Sequence, residues 1–308
     1  MFNPFAPLQH IEARLFQSMP AKFRNAARTE WSDPNRQGAP VECFLEGPSF
    51  DRQGNLYFTD IAFGRIFRIT TTGAWELVTQ YDGWPNGLKI HKDGRIFIAD
   101  YKRGLLLLDP GTGEITTLLG TAFSEGFKGL NDLHFATNGD LYFTDQGQTG
   151  IADPTGRVFR LRADGTLDKL VTNAPSPNGI TLSNAEKHLY VAVTRSQQIW
   201  RLPVMADGNV SKTGVAIQLS GGVAGPDGIE MDAEDGILVC QLGVGIWRFD
   251  KNMLPTHLVH SPDPKHHHLA NIAFGGPDRR TLYITDSLSG DILVADMPVA
   301  GKTLFAHR

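Results

Sequence analysis

Short runs in which apolar and polar residues alternate, separated by glycine-rich turns, recur along the whole chain. In one stretch the runs GLKIH and RIFIAD flank the turn KDG, and GLLLLD and ITTLL follow with PGTGE between them. Alternation with a period of two is typical of half-buried strands, and KDG is a tight-turn sequence. Each such stretch predicts four short antiparallel strands. Residues 8–18 alone have a pattern that favours a helix.

The four-strand stretch is a repeat of about 45 residues. Each copy begins with a small polar motif, continues into a strand and a glycine turn, and returns in a strand that often ends in Thr-Asp. Examples are PNGLKIHKDGRIFIAD, LNDLHFATNGDLYFTD and LANIAFGGPDRRTLYITD. The copies share one register, whose equivalent positions are Glu46, Asn86, Asn131, Asn178, Asp227 and Ala270.

Six four-stranded units without helical crossovers are best buried in a radial arrangement, which leaves only short, protected sheet edges. The sequence therefore predicts an all-β fold, a six-bladed β-propeller with a central channel, as one domain over residues 1–308. Residues 1–40 would pack on the propeller or close it. The outer strand of blade six comes either from the segment before Glu46 or from the C-terminal TLFAHR, and the sequence leaves both open. A pair of β-sandwiches explains the sixfold register poorly.

Composition narrows the classes of partner. The 308 residues carry a net charge of −4 and no clustered Lys/Arg run, which disfavours nucleic acid. No apolar stretch reaches the length of a membrane span, and the first residues lack the pattern of a signal peptide. The only cysteines, Cys43 and Cys240, have no metal-binding spacing and suit a reducing compartment as buried residues. We expect a cytoplasmic protein, a monomer or a weak homo-oligomer.

The shared register predicts a ring of polar side chains. The inner strands of all blades begin at the same end of the channel, so Glu46, Asp227 and the amide positions between them face a common axis. Asn-Gly and Asp-Gly are strong turn formers, and the motifs PNG and PDG can be corners alone; that interpretation does not account for Glu46. Carboxylate and amide oxygens around one point instead favour Ca²⁺, Mg²⁺ or Mn²⁺, with open positions for water and substrate.

At these motifs the chain resembles a known family. EGP at Glu46, ND at Asn131, PNG at Asn178, PDG at Asp227 and FGG at 274–276 resemble, in this order and spacing, the gluconolactonase/SMP-30 (regucalcin) family of six-bladed propellers. The resemblance covers essentially the whole length. It implies that Glu46, Asn178 and Asp227 bind one catalytic divalent cation, with Asn131 as a further ligand or substrate contact. It also implies that Asp227 takes part in the chemistry. Ca²⁺ is favoured, with Mg²⁺, Mn²⁺, Zn²⁺ or Fe²⁺ as alternatives.

One position departs from the family pattern. Sugar-lactone members often carry an arginine two residues before the asparagine of the third blade, where this chain has Gly129. The neighbouring Lys128 is a single-point donor without the planar fork of arginine. We expect Asn131, Asn86, Lys128 and His268 to contact substrate. The run of three histidines that ends at His268 is interpreted either as a solvated loop or as part of that contact.

These features predict a divalent-metal-dependent hydrolase that opens a small lactone, a sugar-acid lactone of the gluconolactone type foremost. Asp227 would act as a general base or as a nucleophile. One alternative is a phosphotriesterase or arylesterase, because propellers of the diisopropyl-fluorophosphatase type resemble this one and use the same ligand pattern. Another is a non-enzymatic calcium-binding propeller. The sequence contains no GxSxG, HExxH or GxGxxG motif that would indicate a different chemistry.

Overall fold

The computed structural model describes residues 7–308, and the part of the N-terminal segment before residue 7 lies outside it. The described chain is almost entirely β-structure, and 27 strands, β1–β27, are numbered in chain order. Its helices are short: the α-helix α1 (Ser32–Arg36) and the 3-10 turns Ala21–Phe23, Ile61–Phe63, Thr194–Ser196 and Phe305–His307. Within residues 7–308 no helix is long and apolar enough to cross a membrane.

The first three blades are four-stranded antiparallel sheets formed by consecutive strands. Blade one contains β3 (Leu45–Phe50), β4 (Leu56–Asp60), β5 (Arg65–Ile69) and β6 (Trp75–Gln80). Blade two contains β7 (Pro85–Ile90), β8 (Ile96–Asp100), β9 (Gly104–Leu108) and β10 (Ile115–Leu119), followed by the small hairpin β11 (Thr121–Ala122) and β12 (Glu125–Gly126). Blade three contains β13 (Leu130–Phe135), β14 (Leu141–Asp145), β15 (Gly156–Leu161) and β16 (Leu167–Ala174).

The remaining blades follow the same plan, with additions from the N-terminus. Blade four contains β17 (Pro177–Leu182), β18 (His188–Val193), β19 (Gln198–Pro203) and β20 (Gly214–Gln218). Blade five contains β21 (Pro226–Met231), β22 (Ile237–Gln241), β23 (Gly245–Phe249), β24 (Pro255–His260) and β1 (Gln9–Glu12). Blade six contains β25 (Leu269–Gly275), β26 (Thr281–Asp286), β27 (Asp291–Asp296) and β2 (Arg14–Ser18).

The six sheets close into a ring. Each inner strand packs against the inner strand of the next blade, and β25 of blade six packs against β3 of blade one. Apolar faces of neighbouring sheets meet in separate clusters between the blades; in one of them Phe143 and Phe159 stack with their ring centroids 5.4 Å apart. The predicted six-bladed propeller is confirmed. Cys43 and Cys240 are both buried free thiols, as expected.

The N-terminal segment completes blade six. β2 pairs antiparallel with β27, where Arg14 lies opposite Val294, and β1 adds a parallel fifth strand to blade five. Of the two alternatives for the outer strand, the N-terminal one is therefore correct. The helix expected over residues 8–18 is wrong, because two sheet edges offer unpaired backbone groups to this segment. Pairing with those edges outweighs a weak local helical pattern.

The C-terminal segment lies across the end of the channel opposite the motif ring. Gly301 forms a bridge with Asp232 at the end of the inner strand of blade five. The Lys302 ammonium donates to the carbonyl oxygens of Leu182 and Ser183 in blade four, at 2.8 and 3.1 Å. Phe305 stacks on Phe135 of blade three. These contacts close that end of the channel, and the opposite end is the one that carries the polar ring.

Ala13, between β1 and β2, tests the role of the N-terminal segment. Its side chain is 4 % exposed and packs in the apolar cluster between blades five and six. Ala13→Glu should lower the free energy of unfolding by about 3 kcal/mol or more, because it buries a charge without a partner. Chemical denaturation measures the change. Arg14→Ala at the exposed neighbouring position is the matched control, and equal stability of both variants would contradict this packing.

Lys302 predicts a pH dependence of stability. Burial lowers the pKa of its ammonium from 10.5 to about 8. Between these values the unfolded chain binds a proton that the folded chain lacks, so the free energy of unfolding rises with pH. The full rise amounts to roughly 3 kcal/mol. The buried thiols Cys43 and Cys240 have raised pKa values and act in the opposite direction, so the test is a difference between variants. Between pH 7.5 and pH 10, the change in the free energy of urea unfolding should include this rise in the wild type and in the exposed-lysine control Lys251→Met. Lys302→Met should lack it, and an unchanged rise would contradict the assignment.

Candidate functional site

Every inner strand has a β-bulge at its motif, where the pairing with the second strand changes register. The bulges lie at 46–49, 85–88, 130–133, 177–180, 226–229 and 269–271. A bulge bends its strand and turns a side chain out of the regular alternation. Six bulges at one level of the ring therefore redirect the motif side chains at the same end of the channel.

Glycines after the motif positions let the inner strands meet backbone to backbone. A Cβ on Gly47 would lie 2.5 Å from the Asn86 carbonyl oxygen, and one on Gly179 would lie 2.4 Å from that of Asp227. Gly47 also has a φ of +54°, which disfavours any larger residue. These positions hold Gly in four blades, and the equivalent residues of blades three and six are Asp132 and Asn271.

Two buried carboxylates lie at the centre of this ring. Glu46 is 3 % exposed and accepts hydrogen bonds from Asn271 Nδ2 at 2.9 Å and from the Gly47 N–H at 3.1 Å. Burial raises the pKa of Glu46 well above its ordinary value, and the charge of Asp227 raises it further. Asp227 is 9 % exposed, and burial raises its pKa to about 7 against a hydrogen bond from Asn178 that lowers it. Within residues 7–308 neither carboxylate forms an ion pair.

A chain of amides orients Asn131. Its Nδ2 donates to Gln146 Oε1 at 2.9 Å, and Gln146 Nε2 donates to Ser176 Oγ at 3.0 Å. In the described part of the chain nothing donates to Asn131 Oδ1, so this oxygen remains available as a ligand. Gln146 and Ser176 were not identified from the sequence, because neither lies at a register position of the repeat.

This donor set suits a hard divalent cation. Two like charges are buried near each other, and among residues 7–308 they contact amides but no cationic side chain directly. A bound cation would neutralise this arrangement. No group of three or more His, Cys, Asp or Glu side chains is arranged as metal ligands between residues 7 and 308. Amide oxygens would therefore have to complete the coordination. Carboxylate and amide oxygens match Ca²⁺, Mg²⁺ or Mn²⁺ better than Zn²⁺.

The sixth ring position was only partly anticipated. Ala270 holds the equivalent register position and is fully buried, but its methyl group offers no ligand. The next residue, Asn271, supplies the amide that contacts Glu46. The sequence signal for it was the match between LND at Leu130 and LAN at Leu269, which aligns Asn271 with Asp132.

The other expected substrate contacts lie around the mouth of the channel. Asn86 is half-buried in the ring, and Lys128 is exposed in the connection from blade two to blade three. His268 is half-buried, and within the described residues its Nδ1 has no hydrogen-bond partner. The histidine run is not simply a solvated loop, because His266 is buried and hydrogen-bonded to Asp291 at 2.9 Å. This contact anchors the loop that carries His268.

A second polar layer lies below the ring. The Lys89 ammonium of blade two forms an ion pair with Glu230 of blade five at 2.9 Å, and both side chains are buried. Burial alone would lower the pKa of Lys89, but the Glu230 carboxylate raises it above its ordinary value. His134, in the same layer, is buried with its pKa lowered by burial and by Lys302 and Lys89. The Lys89–Glu230 pair joins opposite sides of the channel beneath the ring.

An N-terminal loop covers part of the mouth. This loop, residues 27–41, is closed at its base by a bridge between Ala27 and Val41, and it contains α1. Its Trp31 packs on Phe44 with ring centroids 4.4 Å apart, in a cluster that includes Trp84 of blade two and Leu288 of blade six.

Polar contacts extend the same loop toward blade three. Lys102 Nζ donates to Glu30 at 2.8 Å, and Gln148 Nε2 lies 3.4 Å from Asn35 Oδ1. Gln148 also donates to the Tyr101 hydroxyl at 3.1 Å. The loop thus rests on blades six, one, two and three, and it leaves the side of blades four and five open. A cavity of about 940 Å³ lies elsewhere, at the edge between blades one and six.

Comparison with known proteins identifies the family. The sequence profile of the SMP-30/Gluconolactonase/LRE-like region matches residues 44–287. The chain belongs to this family. Among its curated relatives is the lactonase drp35 of Staphylococcus epidermidis, 32 % identical over 281 residues that cover 85 % of this chain and 83 % of the relative. The family membership predicted from the motifs is confirmed.

Solved structures share the fold of this SMP-30/gluconolactonase-like chain. The calcium-binding protein regucalcin from Agrobacterium tumefaciens has a TM-score of 0.77 at 22 % identity, covering 99 % of this chain and 100 % of the other. A gluconolactonase from Xanthomonas campestris has a TM-score of 0.74 at 21 % identity, covering 95 % of this chain and 98 % of the other. At such identities the similarity concerns the propeller itself.

Gly228 tests the packing of the ring. A Cβ at this position would lie 2.4 Å from Asn271 Oδ1, so Gly228→Ala must displace the side chain that contacts Glu46. We expect the variant to lose about 1–3 kcal/mol of unfolding free energy. Gly214→Ala is the matched control, since its Cβ would meet nothing within 4 Å. Denaturant titration of both variants measures the difference, and equal stability would argue against close contact of the inner strands.

Proposed function

We propose that this chain is a divalent-cation-dependent hydrolase that opens small lactones at the ring of motif residues. The observation that carries the proposal is the buried pair Glu46 and Asp227, which has raised pKa values and no ion-pair partner among residues 7–308. Membership of a family that includes curated lactonases supports lactone hydrolysis. The calcium-binding name of the structural relative regucalcin supports Ca²⁺ as the cation.

In this proposal Glu46, Asn178 and Asp227 hold the cation, and Asn131 adds an amide oxygen or contacts the substrate. The hydrogen bond that Asn131 Nδ2 donates to Gln146 fixes the orientation of the Asn131 amide. Asn131 Oδ1 therefore points away from Gln146. When bound, the cation supplies a positive charge that polarises the lactone carbonyl and stabilises the negative oxygen formed on addition. Asn271 orients Glu46 by hydrogen-bonding one of its carboxylate oxygens.

Asp227 is the proposed catalytic residue. It either accepts the proton of the attacking water or attacks the carbonyl carbon itself. The N-terminal loop (residues 27–41) and the closed far end of the channel limit the entry of water to the open side of the mouth. Asn86, Lys128 and His268 border the mouth and are proposed to contact the substrate. A sugar-acid lactone is one candidate within this class.

The test is a hydrolysis panel on chelated and Ca²⁺-reconstituted protein, with sugar lactones, aliphatic lactones, aryl esters and organophosphate esters. Chelation should abolish lactone opening and Ca²⁺ should restore it. Asp227→Asn should lower turnover by about 10²–10⁴-fold, and Glu46→Gln should lower the bound metal found by elemental analysis. Glu234→Gln, an exposed carboxylate of the same blade, is the matched control.

The panel separates the alternatives. Lactone opening that withstands chelation would contradict the cation site, and absence of hydrolysis with intact Ca²⁺ binding would favour a binding propeller. Faster hydrolysis of organophosphate or aryl esters than of every lactone would refute lactones as the substrate class, but it would not contradict the cation site. Single turnover in ¹⁸O-labelled water tests the nucleophilic role of Asp227. Its carboxylate acquires the label when water attacks the Asp227 carbonyl carbon of the acyl intermediate, and a general base acquires none.

A further inference from the structure

Arg195 lies at the open side of the mouth and has no role in the site described above. It belongs to the 3-10 turn Thr194–Ser196, which follows the second strand of blade four. Its side chain is exposed, and within residues 7–308 it makes no hydrogen bond or ion pair through its guanidinium. Neither the repeat register nor the family motifs single it out.

The turn that carries Arg195 is held firmly against the site. Thr194 Oγ1 donates to the carbonyl oxygen of Pro226 at 2.8 Å, and Pro226 directly precedes Asp227. The Thr194 N–H donates to the Ser176 carbonyl at 2.9 Å, and the Arg195 N–H to that of Pro175 at 3.3 Å. A rigid turn at this position keeps the base of the arginine side chain next to the start of the inner strand of blade five.

The side chain of Arg195 lies at the rim between blades three and four. Its Cγ lies 3.7 Å from the position that a Cβ on Gly150 would occupy, so it extends toward the long loop of blade three. Its charge is also felt at the site. Burial raises the pKa of Asp227, and the hydrogen bond from Asn178 and the positive charge of Arg195 both oppose that rise.

Two other cations near the mouth are paired with carboxylates. Lys102 is paired with Glu30 and Asp82, and Lys265 with Asp291. An arginine left without a partner keeps its five donors free for a ligand, in a fork that matches a carboxylate or phosphate. The N-terminal loop covers the side of blades six, one, two and three. A molecule that enters from blades four and five therefore passes Arg195.

We propose that Arg195 recognises an anionic substituent of the substrate, so that the preferred lactones carry a carboxylate beside the ring. The substituent would bind the guanidinium at the rim while the lactone carbonyl faces the ring of motif residues. This recognition rests on the proposed lactonase function. Arg195 would also provide a planar cationic donor in a chain that has glycine, and not arginine, at position 129.

The experiment compares γ-butyrolactone with the same ring bearing a carboxylate on its γ-carbon, using the Ca²⁺-loaded protein. Arg195→Gln should raise KM for the carboxylated lactone about tenfold or more relative to its effect on the uncharged one. The KM of Arg195→Lys for the carboxylated lactone should lie between the values of the wild type and of Arg195→Gln, because lysine keeps the charge and lacks the planar fork. Arg201→Gln, an exposed arginine on the third strand of the same blade, is the matched control and should change neither KM.

Lys128 provides the competing assignment, since it is exposed and among the described residues it has no ion-pair partner. A selective rise in KM in Lys128→Gln with no such rise in Arg195→Gln would overturn the proposal. An equal rise in KM for both lactones in Arg195→Gln would also overturn the proposal, because Arg195 would then contact the lactone ring and not the carboxylate.

A binding measurement keeps the inference separate from catalysis. Tetrahydrofuran-2-carboxylate has the same ring and carboxylate but no carbonyl to hydrolyse. Calorimetric titration should show binding to the wild-type protein that weakens about tenfold or more in Arg195→Gln. No binding to the wild type, or equal binding to both, would overturn the role of Arg195. If binding behaves as expected and neither lactone is opened, the proposed hydrolysis fails and the anion site remains.

Discussion

The close approach of six inner strands around one axis is the constraint on which the rest of the molecule depends. Neighbouring strands meet with no room for a Cβ at Gly47, Gly87, Gly179 and Gly228. That contact forces the preceding side chains into a small volume, where Glu46 and Asp227 lose most of their water. The desolvation of two like charges is unfavourable, and the extensive packing between the blades must offset it. The polar centre is thus a consequence of how the ring closes.

Charge alternates along the axis of the channel. The acidic ring lies at one end, the Lys89–Glu230 pair follows, and Lys302 lies at the far end among carbonyl oxygens. The charges of Lys89 and Glu230 largely cancel, so the pair adds little net charge between the ring and Lys302. The C-terminal segment closes the far end of the channel, and residues 27–41 cover part of the near end. The ring is therefore poorly solvated and open on one side. Electrostatic interactions are stronger in such a place than in water.

The sequence predicted the features that repeat and missed those that occur once. Each blade encodes the same four strands, so alternation and register were sufficient for the propeller and for bringing Glu46, Asn178 and Asp227 to one end. Asn271 was missed because blade six places its useful amide one residue later in the motif. Residues 8–18 were assigned a helix because local periodicity contains no information about distant sheet edges. Lys89 and Glu230 are 141 residues apart, and no single strand pattern indicates that they meet.

The pairing of β2 with β27 has a consequence for how the chain is assembled. Blade six takes its outer strand, β2, from a segment that precedes blade one and its other three strands from the segment that follows blade five. Blades one to four can form as they are synthesised, but the circle is closed only when β2 and β27 are both present. Until then β2 has no partner strand, and contacts between residues so far apart in sequence form slowly. Sealing the circle is therefore expected to be the late, rate-limiting event of folding.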